Sequence, residues 1–141
     1  MEALGLAARF PHRLARFTAQ CRSAGQDKAT PLLLHYEAGG YNCLHQDLYG
    51  DLAFPLQFVC FLSEPRAAYT GGEFLLVEQR PRAQSVGHAV RPGRGEALVF
   101  TTRWRPVKGS RGFYRANVKH GVSPVLSGTR YTLGVIYHDA R

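Results

Sequence analysis

The amino-acid sequence predicts a mainly β domain of the sandwich or barrel class. Short apolar stretches follow one another from residue 31 onward, and 15 Gly and 8 Pro supply turns between them. The length of 141 residues is enough for one hydrophobic core but not for two. The predicted strands, eight in all, span residues 32–37, 42–48, 56–63, 72–78, 85–90, 96–101, 118–125 and 130–138.

The pattern of apolar residues in the first part of the chain predicts a helix instead of strands. Apolar residues recur at near-helical spacing from residue 1 to about 24, with arginines between them. Pro11 interrupts this pattern, which predicts either two short helices or one kinked helix. We therefore expect a single domain over residues 1–141, in which a helical segment over 1–30 supports a β core over 31–141.

The composition argues against a membrane or secreted protein. No apolar run approaches the roughly 20 residues that would span a membrane, and charged residues interrupt the N-terminal stretch where a secretory signal would be apolar. The three cysteines, Cys21, Cys43 and Cys60, are scattered and form no CxxC pair, which is typical of reduced thiols. These features favour a cytoplasmic protein without a membrane partner.

Four residues predict a metal site. His45 and Asp47 stand two residues apart on a predicted strand, so both side chains leave the same face. His120 lies at the start of the seventh predicted strand and Arg130 opens the eighth. Two imidazoles and one carboxylate can occupy one face of an iron(II) ion and leave the opposite face open, as in non-haem oxygenases. Arg130 then offers a planar, two-pronged donor for a carboxylate-bearing cosubstrate.

At these residues the chain resembles the 2-oxoglutarate and iron(II)-dependent dioxygenase superfamily. The segment Tyr36-Glu-Ala-Gly39, which begins nine residues before His45, is similar to the segment ahead of the metal ligands in prolyl-hydroxylase-like and AlkB-like members. The Gly71-Gly72-Glu73-Phe74 element resembles the next strand in prolyl-hydroxylase-like members, and residues 120–139 resemble their final hairpin. The implied fold is a double-stranded β-helix, a cupin-like jelly-roll with an N-terminal helical segment and the iron at its open end.

The resemblance also implies roles for single residues. Carried over to this sequence, His45, Asp47 and His120 bind Fe(II), and Arg130 pairs with the distal carboxylate of 2-oxoglutarate. Three protein ligands leave sites on the iron for the keto acid and for O₂, which are the implied cosubstrates.

Further cosubstrate contacts are implied for three residues around Arg130. Tyr36 is the candidate for a hydroxyl hydrogen bond to 2-oxoglutarate. Some prolyl-hydroxylase relatives place a Tyr near position 61 to share the carboxylate with the basic residue, whereas this chain has Phe61. We therefore expect Thr132 or Gln57 to assist Arg130.

A narrower resemblance concerns the substrate. The stretches YNCLHQDLYG, TGGEF and EQRPR, at residues 41–50, 70–74 and 78–82, resemble a group of bacterial AlkB-like nucleic-acid oxygenases. The implied reaction is hydroxylation of a methyl group on a damaged base, followed by loss of formaldehyde, which restores the base.

The distribution of charge favours nucleic acid as a partner. Residues 80–119 hold eight Arg and two Lys against Glu96 alone, a net charge of +9, so the rest of the chain carries −1 of the total of +8. Such a surface attracts a polyanion. The candidate phosphate contacts and stacking platforms are Arg103, Arg105, Arg111, Trp104 and Tyr114. The same residues also suit a solvated basic face and an aromatic core without any partner.

Two other functions stay open at this point. A protein hydroxylase acting on prolyl or other side chains is favoured by Gly72-Glu73 and by the spacing from His120 to Arg130. A non-catalytic jelly-roll that binds nucleic acid through its basic face would have no need for three ligands and the arginine together. The sequence does not decide the oligomeric state, nor whether a second copy covers an exposed sheet face.

Overall fold

The computed structural model describes residues 10–141 of the chain, and most of its regular structure is β. One helix, α1, spans Leu14–Ser23. The strands of the described residues are β1 Leu32–Tyr36, β2 Asn42–His45, β3 Leu56–Phe61, β4 Tyr69–Gly71, β5 Phe74–Gln79, β6 Val86–Val90, β7 Ala97–Thr101, β8 Trp104–Gly109, β9 Gly112–Val122, β10 Val125–Gly128 and β11 Arg130–Ile136.

Two antiparallel sheets enclose the core. The first has the strand order β1-β11-β3-β7, and the second has the order β2-β9-β5-β6 with β8 also paired to β9. The short strands β4 and β10 form a separate two-stranded ladder. This arrangement confirms the predicted mainly β, jelly-roll class with a helical segment at its N-terminal side.

Strand β9 connects most of the second sheet. Its C-terminal part pairs with β2 and its N-terminal part pairs with β8 along the same edge, while β5 pairs along the other edge. Side chains alternate between buried and exposed, with Val118 and His120 buried and Arg115 and Lys119 exposed. The strand therefore has an inner face toward the core and an outer face toward solvent.

The strand predictions around the site were wrong in detail. The predicted strand 42–48 ends at His45, because the chain turns at Gln46 and the Leu48 N–H donates to the Gln46 carbonyl at 3.0 Å. Asp47 thus lies beyond the strand, and strand parity does not explain its position. His120 lies near the end of β9, not at the start of a strand.

Residues 126–128, which lie between the last two predicted strands, belong to the strand β10. Residues of β10 pair with β4, and Gly128 lies opposite Tyr69. The backbone φ of Gly128 is +76°, and a Cβ there would lie 2.1 Å from the Ala68 carbonyl oxygen. Only glycine fits this close approach of two backbones.

The N-terminal helix is shorter than the predicted helical segment. It begins after Arg13, whose backbone is extended, so Pro11 lies before the helix and not within it. The part of the prediction that falls on residues 1–9 lies outside the described residues. Phe17 of α1 packs against the rings of Phe10 and Phe54, with centroids 5.3 and 5.7 Å away. Within residues 10–141 no helix has the length and apolar character needed to cross a bilayer.

Two groups of buried side chains fill the space between the sheets. One consists of Val59, Phe61, Phe74 and Phe100, and the other of Tyr36, Tyr69, Val122 and Val125. Arg130 lies between these groups, with its guanidinium carbon 5.3 Å from the Tyr36 ring centroid and 5.6 Å from that of Phe61. A cation is thus built into the apolar core.

Candidate active site

The three predicted metal ligands converge on one point. Strands β2 and β9 are paired so that His45 lies directly opposite His120, with ring centroids 4.3 Å apart. Asp47 reaches both imidazoles: Oδ1 lies 3.4 Å from His45 Nε2, and Oδ2 lies 3.1 Å from His120 Nε2. One ligand atom from each residue lies within 4.8 Å of the others. The cluster therefore offers two nitrogens and one carboxylate oxygen to a single ion.

Hydrogen bonds prepare His45 and Asp47 for this role. His45 Nδ1 lies 2.7 Å from the Cys43 carbonyl oxygen, so Nδ1–H donates there and Nε2, which faces Asp47, is the nitrogen that a metal would take in place of a proton. The Tyr49 hydroxyl donates to Asp47 Oδ1 at 2.6 Å. Burial alone would raise the pKa of Asp47, but hydrogen bonds from His120, His45 and Tyr49 outweigh it and hold that pKa well below its usual range. Asp47 is therefore a carboxylate, as a metal ligand must be.

His120 is held by packing. Its ring lies 4.8 Å from that of Phe100 and 5.9 Å from that of Phe74, centroid to centroid. Its Nδ1 is buried and has no hydrogen-bond partner among residues 10–141. The aromatic neighbours fix the orientation of the ring, and Nε2 remains directed at Asp47.

Arg130 is a buried cation without a carboxylate partner among the described residues. It is 1% exposed, its Nε and Nη2 have no hydrogen-bond partner there, and Nη1 has only a 3.4 Å contact to Thr132 Oγ1. Burial lowers the pKa of Arg130, although Tyr69 and Tyr36 partly oppose that change. Because buried polar groups are normally satisfied, these N–H groups indicate a site for an anionic ligand.

A cavity joins Arg130 to the metal-ligand cluster. Its volume is about 110 Å³, and its lining includes all three candidate ligands. The other predicted cosubstrate residues, Tyr36, Gln57 and Thr132, also line it. Gln57 Nε2 is a further buried donor that lacks a partner within the described chain. One cavity thus brings together the candidate metal ligands and several buried N–H donors that lack partners within the described chain.

These features fit Fe(II) and 2-oxoglutarate. Two imidazole nitrogens and one carboxylate are the donor set of non-haem iron(II) oxygenases. The unpaired guanidinium at the other end of the cavity matches a carboxylate in geometry and charge. The residues that could hold the two groups are His45, Asp47 and His120 for the iron and Arg130, Gln57, Thr132 and Tyr36 for the cosubstrate.

Two contributors to the site are not recognisable as such from the sequence. In the sequence Tyr49 is one more aromatic residue that could stack on a base, but its hydroxyl donates to Asp47, a candidate metal ligand. His138 lies among apolar neighbours and suggests a structural histidine. Its Nε2 lies 3.1 Å from the Asp47 carbonyl oxygen, and its Nδ1 accepts the Phe54 N–H at 3.2 Å. These contacts fix the His138 tautomer, and they tie the backbone of Asp47 to the end of the chain.

The residues proposed for nucleic-acid contact occupy different environments. Arg103 and Arg111 are exposed, and Arg111 lies at the tip of the hairpin formed by β8 and β9. Arg105 forms an ion pair with buried Glu78, and its Nη2 lies 2.6 Å from Glu78 Oε2. Tyr114 is half-buried. These candidates therefore differ in availability: Arg103 and Arg111 are exposed, whereas Arg105 is already paired with a carboxylate.

Trp104 is the centre of the most compact basic cluster. The guanidinium carbons of Arg103 and Arg115 lie 4.2 and 4.6 Å from its ring centroid. Arg115 also lines an open groove with Arg80 and Arg82. Charge is thus concentrated on the outer face of β9 and beside the turn between β5 and β6.

The chain matches a family model described as an oxygenase "catalysing oxidative methylation of damaged DNA" over residues 1–140. Two curated relatives, uncharacterized proteins from two strains of Mycobacterium tuberculosis, are each 55% identical over 137 residues. The match covers 97% of this chain and 59% of each relative, so the chain spans about three fifths of their length.

Two solved structures share the fold. A prolyl-4-hydroxylase from Pseudomonas putida has a TM-score of 0.54 at 23% identity, over 86% of this chain and 58% of that one. An oxidoreductase of the 2OG-Fe(II) oxygenase family from Burkholderia pseudomallei has a TM-score of 0.52 at 17% identity, over 79% and 48%. From the match to the family model over residues 1–140, we conclude that the chain belongs to the Oxygenase-NA family.

Proposed function

We propose that this chain is a 2-oxoglutarate- and Fe(II)-dependent dioxygenase domain that removes methyl groups from alkylated bases in nucleic acid by oxidation. The observation that carries the first half of this proposal is the cavity shared by the three candidate ligands and Arg130. A set of three metal ligands alone would suit many chemistries, but an unpaired buried guanidinium beside it favours an anionic cosubstrate.

The residues of the site have three roles: they hold the iron, orient the cosubstrate and exclude water. His45, Asp47 and His120 would hold the iron, and Arg130 would bind the distal carboxylate of 2-oxoglutarate and so orient the cosubstrate within the cavity. When bound, the iron would supply the oxidative chemistry, with O₂ and 2-oxoglutarate as cosubstrates and succinate and CO₂ as products. The Phe74 and Phe100 rings around His120 exclude water from the inner side of the site.

The proposed substrate carries a methyl group on a base nitrogen. Replacement of one methyl C–H by C–OH gives a hemiaminal, which breaks its C–N bond to release formaldehyde and leaves an N–H on the base. This reaction requires the base to leave its stack and enter the site mouth. Tyr49 lines the cavity and is 39% exposed, so its ring is accessible to an extruded base.

The basic cluster supports a nucleic acid over other substrates. Leu48, the residue after Asp47, lines a second cavity together with Arg103 and Trp104. A phosphate backbone held at this cluster would therefore run close to the turn that carries two candidate iron ligands. Cations interleaved with an aromatic ring are typical of surfaces that bind single strands.

The test is formaldehyde and succinate release from the purified chain with Fe(II) and 2-oxoglutarate. Oligonucleotides of DNA and RNA with N-methylated bases are compared with unmethylated ones. We expect both products from a methylated strand, and their loss in His120→Ala. His35→Ala is the matched control, because its imidazole is exposed on β1 and stacks on Tyr131 outside the cavity.

A protein hydroxylase remains the alternative, and peptides are assayed in parallel. The Gly72-Glu73 element favoured a protein hydroxylase in the sequence, but in the structure the glycine has a different explanation. A Cβ on Gly72 would lie 3.0 Å from Arg130 Cδ, so glycine is needed for the arginine to pack. Succinate release driven by a prolyl peptide and not by any methylated strand would replace our proposal with this alternative. If neither substrate gives succinate release and no 2-oxoglutarate is consumed, the proposed dioxygenase activity itself is contradicted.

A further inference from the structure

Gln46 lies between the candidate ligands His45 and Asp47, but its side chain points to other strands. Its Nε2 lies 2.7 Å from the Val118 carbonyl oxygen and 2.9 Å from Asn117 Oδ1. A longer contact of 3.3 Å reaches the Arg103 carbonyl oxygen. The amide therefore donates both of its hydrogens to a group of oxygens on β9 and just before β8.

These contacts lie at a break in the sheet. Strands β2 and β8 share one edge of β9, β2 opposite residues 120–122 and β8 opposite residues 112–117. Between them the chain turns away at Gln46, and Val118 N–H is bonded to the Arg103 carbonyl at 2.7 Å. The Gln46 amide satisfies the Val118 carbonyl at this break, as the backbone of a strand residue would.

The anchor point matters because it lies close to the third candidate ligand on β9. Val118 is two residues before His120, on the same inner face of the strand. A bond from Gln46 to Val118 therefore fixes the turn that bears His45 and Asp47 against the strand that bears His120. Gln46 itself is half-buried and does not line the cavity.

We infer that Gln46 is a positioning residue of the metal centre, which sets the spacing of His45 and Asp47 relative to His120 through its amide bonds to β9. The inference rests on the proposed function, since it needs these three residues to bind the metal. Outer contacts that orient ligands commonly contribute 10- to 100-fold to metal affinity, about the size of effect expected here.

The test measures Mn(II) binding to the metal-free chain by the electron paramagnetic resonance signal of free Mn(II), with thermal unfolding recorded for each variant. Gln46→Ala is expected to raise the Kd for Mn(II) about tenfold or more, while Tm stays within a few degrees of the parent value. Gln20→Ala, on the exposed side of α1, is the matched control and leaves the Kd unchanged. A parent-like Kd in Gln46→Ala would overturn the inference.

Two more variants separate donation from shape. Gln46→Glu keeps the length of the side chain but places oxygen against three oxygens, so it should bind Mn(II) no better than Gln46→Ala. A Kd restored by Glu would show that packing matters and not the amide, and would overturn the positioning role. If Gln46→Ala does not fold, Asn117→Ala decides, since it removes one acceptor outside the turn: a raised Kd supports the inference, and an unchanged Kd overturns it.

The two proposals fail in different ways. If the parent chain does not bind Mn(II), or if His120→Ala binds it equally well, the metal site itself is wrong and the role of Gln46 falls with it. If the parent binds, His120→Ala does not, and Gln46→Ala binds like the parent, only the positioning role is wrong.

Discussion

The two faces of strand β9 carry residues with different proposed roles. On the inner face, His120 is 7% exposed, packed by two aromatic rings and directed at Asp47. On the outer face, Arg115 and Lys119 are exposed, and Arg115 lies over the ring of Trp104. One face presents atoms at fixed positions, and the other presents charge.

This difference reflects the ligands that each face would bind. A metal ion requires donor atoms within a few tenths of an ångström, so its site needs packing and hydrogen bonds that hold each side chain. A polyanion is attracted by the sum of the charges, and flexible side chains serve as well as rigid ones. Substitutions on the inner face should therefore have large, all-or-none effects, and those on the outer face should have small, cumulative effects.

The largest effect is expected from Asp47→Ala. It removes one of three ligands and the acceptor shared by both imidazoles, so Mn(II) affinity and succinate release should fall by more than about 100-fold, beyond the range for outer contacts. Asp51→Ala, an exposed carboxylate paired with Arg141, is the control. Retained metal binding in Asp47→Ala would remove the contrast between the two faces.

Arg130→Met tests the cavity separately from the metal. The KM for 2-oxoglutarate should rise at least about 30-fold, because a buried charge pair contributes about 2–5 kcal/mol, while Mn(II) binding stays unchanged. Without cosubstrate the variant should unfold about 2–6 °C higher, because an unpaired buried cation is replaced by an apolar side chain. A lower Tm together with an unchanged KM would mean that Arg130 is paired in solution. Arg141→Met is the exposed control.

Three exposed arginines outside the cavity are each replaced by Ala in one variant: Arg115 on the outer face of β9, Arg103 just before β8 and Arg111 at the hairpin tip. The slope of log K against log salt for a single strand should fall by about 0.7 for each phosphate that is no longer neutralised, hence by about 2 in total. Arg105→Ala is the matched comparison and should change the slope less, because Glu78 already neutralises Arg105. Equal slopes for the parent and the triple variant would contradict a nucleic-acid surface here.

The smallest effect concerns Glu78, which holds both Arg80 and Arg105. Burial alone would raise its pKa, but hydrogen bonds from Arg80 and Arg105 lower it below the ordinary 4.5. Its stabilising contribution is therefore present above pH 4.5 and is lost as the pH falls below that value. Glu78→Gln should lose about 1–2 kcal/mol at pH 7, converge with the parent in acid, and bind single strands a few-fold more tightly. Denaturant unfolding at several pH values measures the first two effects, and a gap that persists in acid would contradict the ion-pair explanation.

The sequence predicts the inner face in detail because ligand chemistry restricts residue types. His, Asp, Glu and Cys supply most metal-binding side chains, so the candidate set of His45, Asp47 and His120 is recognisable even though the strand argument for it is wrong. The structure places Asp47 after the end of β2, where Tyr49 and His138 hold it. The His138 contact links residues 91 positions apart, and no local pattern signals it.

The outer face is predicted only as a segment. Its charge excess is visible in composition, but pairing decides which charges are free, and Glu78 lies on a different strand from Arg105. The sequence does not predict strand β8, because Pro106 and the basic residues Arg103, Arg105 and Lys108 hide the alternation of apolar and polar residues that is typical of a strand. Proline is tolerated there because β8 pairs with β9 alone among the described strands, which makes it an edge.

The shared use of β9 places a double constraint on its register. A shift of a single residue would turn every side chain to the opposite side of the sheet, bringing the ammonium group of Lys119 toward the cavity and the imidazole of His120 out to water. Insertions or deletions within Gly112–Val122 should therefore abolish metal binding and nucleic-acid binding together, if both proposals hold, whereas added length at the Ser110–Arg111 tip should be absorbed by the loop.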